Sequence, residues 1–356
     1  MNTSRDEAVV ENDDQHWMAL AIAEAKKGLG RTQPNPAVGA VVVRNGACLA
    51  TGYHHRAGEP HAERDALNKL EPGEAKGATI YVTLEPCSTQ GRTGPCTGAI
   101  LEAGIQRVVY ATADPTSANG DRARAILGKA GVEVVTGIRE EEALALIRGF
   151  TKVQKSGRPW VILKTAMSLD GRITRPPSEG QWLTGPAARE EVHRLRNQVD
   201  AIATSGQTVR RDNPRLDVRL EGVTHQLRRF VFSQRSFSET ERQQFQIFGG
   251  ETAAEVIAMD DLESTLKKLA REFDVQTLLL ECGGRLAGDF VDKGLVDEFF
   301  LFLAPIVCGG SDPAIGGAGA ATLAERFPLK DATMRQFGPD LLLHALASEE
   351  TTPLPR

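Results

Sequence analysis

The chain has no apolar run approaching the roughly 20 residues that cross a bilayer, so no membrane-spanning helix is expected. Cysteine is scarce. Five residues, an odd number scattered over 356, do not make a disulfide framework, and a reducing compartment fits them better. The opening MNTSRDEAVVENDDQHW is acidic and lacks the apolar core of a signal peptide, so a cytoplasmic location is expected. Excess positive charge is also missing: a net charge of -5 and a pI near 5.9 argue against binding dominated by nucleic-acid phosphates. Neither nucleic acid nor membrane is expected as a partner. A G-x-G-x-x-G after a strand is absent, which excludes the ordinary dinucleotide fingerprint. What is present is globular composition, 41% hydrophobic and 25% charged, in a chain longer than one core usually serves. Two α/β domains are expected.

After a flexible stretch at residues 1–12, Asp13 and Asp14 are suited to cap a helix whose apolar side includes Trp17, Leu20 and Ile22, with Gly28 ending it. AVGAVVVRNGACLATGYH reads as a hairpin turning at Asn45-Gly46. HAERDALNKL, TGAILEAG and DRARAILGKAG then read as helices between the strands ATIYVTLEP, RVVYATADP and VEVVTGI. This order predicts a sheet layered with helices over 13–152. A polar connection near residues 150 to 157 separates it from a second domain at 157–350. There, strands WVILKTAMSLDG, DAIATSG, RRFVFS, EVIAM, TLLLECGG and DEFFLFLAPIVCGG alternate with helices, one opened by Thr184 and Pro186.

One constellation in the first half points to chemistry. Catalytic zinc needs three protein ligands and an open position for water, and imidazole nitrogen and thiolate sulfur supply the ligands. His61 begins a helix, Cys87 follows a strand end at Pro86, and Cys96 precedes the next helix. Glu63, two residues after His61, is left to move protons between water and a leaving amine. The pattern His61-Ala62-Glu63 with Pro86-Cys87 is the order found in zinc nucleobase deaminases, with eight residues between the cysteines instead of two. Taken singly, either cysteine could be a small buried hydrophobe; Cys48, Cys282 and Cys308, in apolar strand contexts or beside glycine, are read as structural. His16, His54, His55, His193 and His225 read as surface or supporting residues.

The second half carries weaker signals. TLLLECGG opening into RLAGDFVD puts glycine N–H groups at a helix start, where a pyrophosphate binds or where tight packing alone demands glycine. TVRRDNPRLDVR holds four arginines beside a turn, suited to a sugar phosphate or simply a solvated loop.

The segments QPNPAVGAVVV, GYHHRAGEPHAE and TLEPCSTQGRTGPC, followed by LKTAMSLDGRI, QWLT, TVRRDNPRLDVR, LECGGRLAG and GLVDEFFLFLAP, resemble the bifunctional riboflavin-biosynthesis deaminase/reductase family. The resemblance spans nearly the whole chain. It implies a cytidine-deaminase-like amino-terminal domain with one zinc ion and a dihydrofolate-reductase-like carboxy-terminal domain using NADPH. The substrates implied are small phosphoribosylated pyrimidines. The exposed edges of two sheets, independently, leave room for a homo-oligomer. Asn35, Gly180, Arg196, Leu216, Arg219 and Glu281 fall at substrate positions of the family. Ala166, Trp182, Thr208, Asp212 and Ser233 fall at cofactor positions, as do Gly283, Gly284, Arg285, Leu286, Ala287, Gly288 and Asp289. Trp182 fits a core position equally well, and Asp170-Gly171 matches a turn of structural character. The chain departs from the family at Gln33, Gly180 and Ile306, and lacks an aspartate before Ser233. Rival readings are a deaminase whose second domain has degenerated, a transfer-RNA or cytidine deaminase with an appended binding module, and a non-catalytic scaffold with a structural metal.

Overall fold

A computed structural model describes residues 3–89, 94–116, 118–173, 182–223, 226–250, 252–259, 261–322 and 325–348. Gly180 and His225 lie outside them. The chain divides into two units, at residues 1–156 and 157–356.

The first unit opens on α1 (Thr3–Lys26), which begins ten residues before the expected cap at Asp13. Asp14 does not cap this helix. It sits inside it, buried, accepting the Tyr81 hydroxyl at 2.8 Å and both Nη atoms of Arg107 at 2.8 and 2.7 Å. The helix buries Met18, Ala21, Ile22 and Ala25, whereas Leu20 is partly exposed. Next come β1 (Gly39–Arg44) and β2 (Ala47–Tyr53), joined by Asn45 and Gly46 at φ 53° and 73°. Both values are the left-handed ones that a tight hairpin turn demands. Then follow α2 (Ala62–Leu67), β3 (Thr79–Leu84), α3 (Cys96–Glu102), β4 (Arg107–Thr112), α4 (Arg122–Lys129), β5 (Glu133–Thr136), α5 (Glu140–Leu146) and α6 (Arg148–Ser156).

The sheet runs β2-β1-β3-β4-β5, with β1 antiparallel to both neighbours and the rest parallel. Strand periodicity sorts its side chains between two layers. Val41, Val43, Tyr81, Val109 and Ala111 pack on α1 and on Ala143 of α5. Ala40, Val42, Ile80, Val82, Val108 and Tyr110 pack on Ala66, Ile100 and Leu127 of α2, α3 and α4. Gly52 lets α2 approach β2: a Cβ there would stand 2.4 Å from the Ala66 nitrogen.

The second unit contains β6 (Trp160–Ser168), α7 (Pro186–Arg196), β7 (Ala201–Ser205), α8 (Gly206–Asp212), β8 (Arg228–Phe232), α9 (Glu239–Gln244) and β9 (Glu255–Ile257). It continues with α10 (Leu262–Phe273), β10 (Thr277–Leu280), α11 (Gly284–Asp292), β11 (Glu298–Ala304), β12 (Leu329–Phe337) and β13 (Asp340–Ala347). Its sheet runs β12-β13-β11-β6-β10-β7-β8-β9, parallel from β11 to β9 and antiparallel in the closing β12–β13 hairpin. One face packs Leu163, Ala203 and Leu280 on Leu266, Leu269 and Phe290 of α10 and α11. The other packs Ile162, Ile202 and Leu279 against Leu195 and Val209 of α7 and α8. Thr184 does not cap α7; the N-cap is Gly185, whose N–H donates to buried Asp340 at 2.7 Å, and Pro186 follows at the first turn. Among the described residues no helix is long and apolar enough to cross a membrane.

Candidate active sites

The first site lies where β3 ends and two short helices begin. His61 occupies the N-cap position of α2 in extended backbone, Cys96 is the first residue of α3, and Cys87 lies just beyond β3. Their ligand atoms all lie within 4.8 Å of one another. His61 Nδ1 stands 3.6 Å from Cys87 Sγ and 3.4 Å from Cys96 Sγ. A tetrahedral zinc ion separates its nitrogen and sulfur ligands by about 3.5 Å, so the three side chains fit that ion. Among the described residues no fourth His, Cys, Asp or Glu joins the group, so the set is that of an open site, not a closed structural one. The Cys87 thiol is pulled below its ordinary value, first by its hydrogen bond with the Cys96 thiol, then by those with His61 and the Cys96 N–H. Buried Glu85, two residues before Cys87, accepts the N–H groups of Asp114, Asp121 and Ala123 and so anchors the strand end that carries Cys87.

Glu63 is on the first turn of α2, only 3% exposed. Burial, and then the Cys87 charge, raise its pKa, and its carboxyl reaches the Cys96 thiol. Asn35 joins the site through His54. The His54 ring gives its Nδ1 proton to Pro60 O at 3.0 Å, and its Nε2 accepts from Asn35 Nδ2 at 2.9 Å. That ring lies 5.3 Å from the His61 ring, edge to face. His54 is therefore buried support for the site, not a surface residue.

The second site is a cavity of about 1580 Å³ at the carboxyl ends of the parallel strands, larger than the usual pocket for one small ligand. Ala166, Trp182, Thr208, Asp212, Ser233, Gly283, Gly284, Arg285, Leu286 and Asp289 line it, as do Arg196, Leu216, Arg219 and Glu281. Glu281 is buried and takes Arg196 Nε and Nη2 at 2.7 and 3.0 Å and Lys164 Nζ at 3.3 Å. Burial alone would raise its pKa, but the two cations hold it down to about 2. Arg196 Nη1 continues to Asp217 O at 3.0 Å. At the other wall, Thr208 Oγ1 accepts the Gly283 N–H at 3.3 Å, joining α8 to the start of α11.

The carboxy-terminal half matches the family description "RibD C-terminal domain" over residues 159–343, and residues 11–112 match "Cytidine and deoxycytidylate deaminase zinc-binding region". Over 94% of this chain and 100% of its own, the riboflavin biosynthesis protein RibD of Escherichia coli is 36% identical. The chain belongs to the RibD family. A RibD of Acinetobacter baumannii superposes with a TM-score of 0.86 at 34% identity, over 95% of this chain and all of that one. The diaminohydroxyphosphoribosylaminopyrimidine deaminase/5-amino-6-(5-phosphoribosylamino)uracil reductase of Thermotoga maritima superposes at 0.84 and 32%, covering 95% and 99%. As a RibD, the chain is a bifunctional enzyme of riboflavin biosynthesis, with a zinc-binding deaminase domain and a reductase domain.

Within this RibD two of the expected cofactor residues turn away from the cavity. Ala287 is fully buried in the core below α11. Gly288 faces the Gly316–Gly317 backbone, where a Cβ would stand 2.2 Å from the Gly316 carbonyl carbon. Gly284 lines the cavity, but a Cβ on it would meet Pro313 O at 2.0 Å, so tight packing requires that glycine. Trp182 is 59% exposed and lies under Arg189, which rules out a core role. The arginine run is half helix: Arg210 and Arg211 belong to α8. Cys48, read as structural, lies on β2 as its strand context suggested, but exposed. Asp170 ties loops together, accepting the Ser168 hydroxyl and the N–H groups of Cys308 and Gly309. Lys164, which the sequence reading missed, lines the cavity, as does His193, read there as a surface or supporting residue. Lys164 left a signal, as a lone cation inside the apolar run WVILKTAMS.

Proposed function

We propose that the chain carries out two consecutive reactions on one pyrimidine. The first hydrolyses the exocyclic 2-amino group of 2,5-diamino-6-(5-phosphoribosylamino)pyrimidin-4-one. The second uses NADPH to reduce the ribosyl group to a ribityl chain. The observation that carries this reading is the convergence of His61, Cys87 and Cys96 on one point with Glu63 buried beside it. Those three residues would hold zinc, which would lower the pKa of a water molecule toward neutrality. Glu63 takes a proton from the attacking water and delivers it to the departing amine as the new C–O bond replaces C–N. Asn35, its amide fixed by His54, hydrogen-bonds the pyrimidine.

In the reductase, NADPH held in this cavity would supply the hydride that reduces the ring-opened sugar carbon. The cavity has room for two ligands, and α11 presents the Gly283–Gly284 backbone at its start for the pyrophosphate. Ala166, Trp182, Thr208, Asp212, Ser233, Arg285, Leu286 and Asp289 hold the cofactor in this reading, and Arg196, Leu216, Arg219 and Glu281 the substrate. Lys164, its ammonium 3.3 Å from Glu281, is suited to give the proton that accompanies the hydride. Incubation with the diaminopyrimidine, zinc and NADPH, following ammonia and NADPH separately, tests both halves. Ammonia release followed by NADPH oxidation is expected; ammonia without oxidation would leave a deaminase alone, and neither would overturn the reading.

A further inference from the structure

The 213–220 segment crosses the cavity wall without joining the sheet. Side chains from elsewhere tie its main chain instead. Arg229 Nη1 donates to Arg215 O at 2.9 Å, and Arg196 Nη1 to Asp217 O at 3.0 Å. Gln226 Oε1 accepts the Val218 N–H at 3.2 Å, and His193 Nδ1 accepts the Arg219 N–H at 3.2 Å. The shape so imposed is not a relaxed one: Leu216 holds a φ of +52° while buried in the core, a conformation a branched apolar residue avoids without outside support.

His193 lies on α7, on the helical stripe of Pro186, Arg189, His193 and Arg196 that faces the cavity. Burial, then the charges of Arg196 and Arg219, push its pKa down to about 4. The ring is therefore neutral at physiological pH. Because Nδ1 accepts from Arg219, the proton sits on Nε2.

We infer that His193 is a positioning residue for the reductase, holding the main chain at Arg219 so that Leu216 and Arg219 meet the phosphoribosylated substrate. This rests on the proposed reductase reading and adds to it a residue that acts only through another. The geometry offers a discriminating pair of variants. In His193→Asn the amide oxygen stands where Nδ1 stood and still accepts the Arg219 N–H. In His193→Gln the amide reaches the position of Nε2 and leaves that N–H unanswered.

The experiment measures steady-state NADPH oxidation by the full-length enzyme with 5-amino-6-(5-phosphoribosylamino)uracil, alongside NADPH affinity and thermal unfolding. His193→Gln is expected to raise KM for the pyrimidine about tenfold, the worth of one hydrogen bond, with kcat and KM for NADPH held. His193→Asn should restore KM to near the wild-type value. Equal impairment in both variants, or an unchanged KM in His193→Gln, overturns the inference while leaving the reductase reading intact. A loss of NADPH affinity matching the loss for the pyrimidine likewise overturns it, since that is general damage to the fold. Failure of the wild-type enzyme to oxidise NADPH with this substrate would sink the reductase reading itself, and the inference with it.

Discussion

Glu63 and Glu281 are both nearly inaccessible to water, yet their pKa values move in opposite directions. Burial raises both; only Glu281 has Arg196 and Lys164 beside it to reverse the effect. A buried carboxyl group beside the His61, Cys87 and Cys96 cluster is placed to accept a proton and return it, which is the work proposed for Glu63. Glu63→Gln keeps the shape and removes that ability. Ammonia release should fall by about 10²-fold or more with zinc content unchanged by metal analysis; release at the wild-type rate would refute the shuttle. Glu281 makes a stability prediction instead. Its folded pKa lies below the ordinary 4.5, at about 2, so the native state binds fewer protons than the unfolded chain between those values. The stabilisation is complete above pH 4.5 and is lost as the pH falls toward 2, roughly 3 kcal/mol in all. Urea unfolding of the reductase unit from pH 7 to 3 should show this loss in the wild type. Glu281→Gln should start about 3 kcal/mol lower, having left two cations unpaired, and lack this group's part of the slope. Parallel pH curves for the two proteins would contradict the assignment.

At the scale of elements, the glycines of one run at α11 stand in two different surroundings. Gly284 and Gly288 face the 313–317 backbone too closely for any side chain, whereas a Cβ on Gly283 meets nothing nearer than Thr208 Oγ1 at 3.8 Å. Gly283 also has an ordinary φ of -72°. Gly288→Ala should therefore cost about 1–3 kcal/mol by overpacking, read as a lower Tm, while Gly283→Ala leaves Tm near the wild-type value. Equal Tm values in the two variants would refute this division. The distinction was not legible in the sequence, because GGRLAG carries the same letters whether a glycine faces a ligand or a neighbouring backbone. What was legible followed from period and punctuation: the Asn45-Gly46 hairpin and the strands of the first sheet. The misses share a cause in long-range partners. The β12–β13 hairpin carries side chains exposed along all but the last residue of β12, so no inward alternation marked it. Asp14 looked like a cap because its partners, Tyr81 and Arg107, are far along the chain. His193 stayed open between a surface and a supporting role because its partner is a main-chain N–H across the cavity wall.

Across the whole molecule, the two chemistries are carried by different units. His61, Glu63, Cys87 and Cys96 all belong to the first, and every residue lining the reductase cavity belongs to the second. Each unit has its own sheet and its own core on both faces of that sheet. Two of the three proposed zinc ligands, moreover, stand at the starts of short helices of six and seven residues and the third just beyond β3, so an ion held there would tie together a local corner of the first unit. Removing it should loosen that corner and abolish water activation without reaching the second core. Treating the enzyme with a chelator is thus expected to stop ammonia release from the diaminopyrimidine while NADPH oxidation continues when 5-amino-6-(5-phosphoribosylamino)uracil is supplied directly. Adding zinc back should restore the first activity alone. If chelation silenced both activities to the same degree, the reductase would depend on the metal corner of the first unit, and the separation of the two sites argued from their residues would fail.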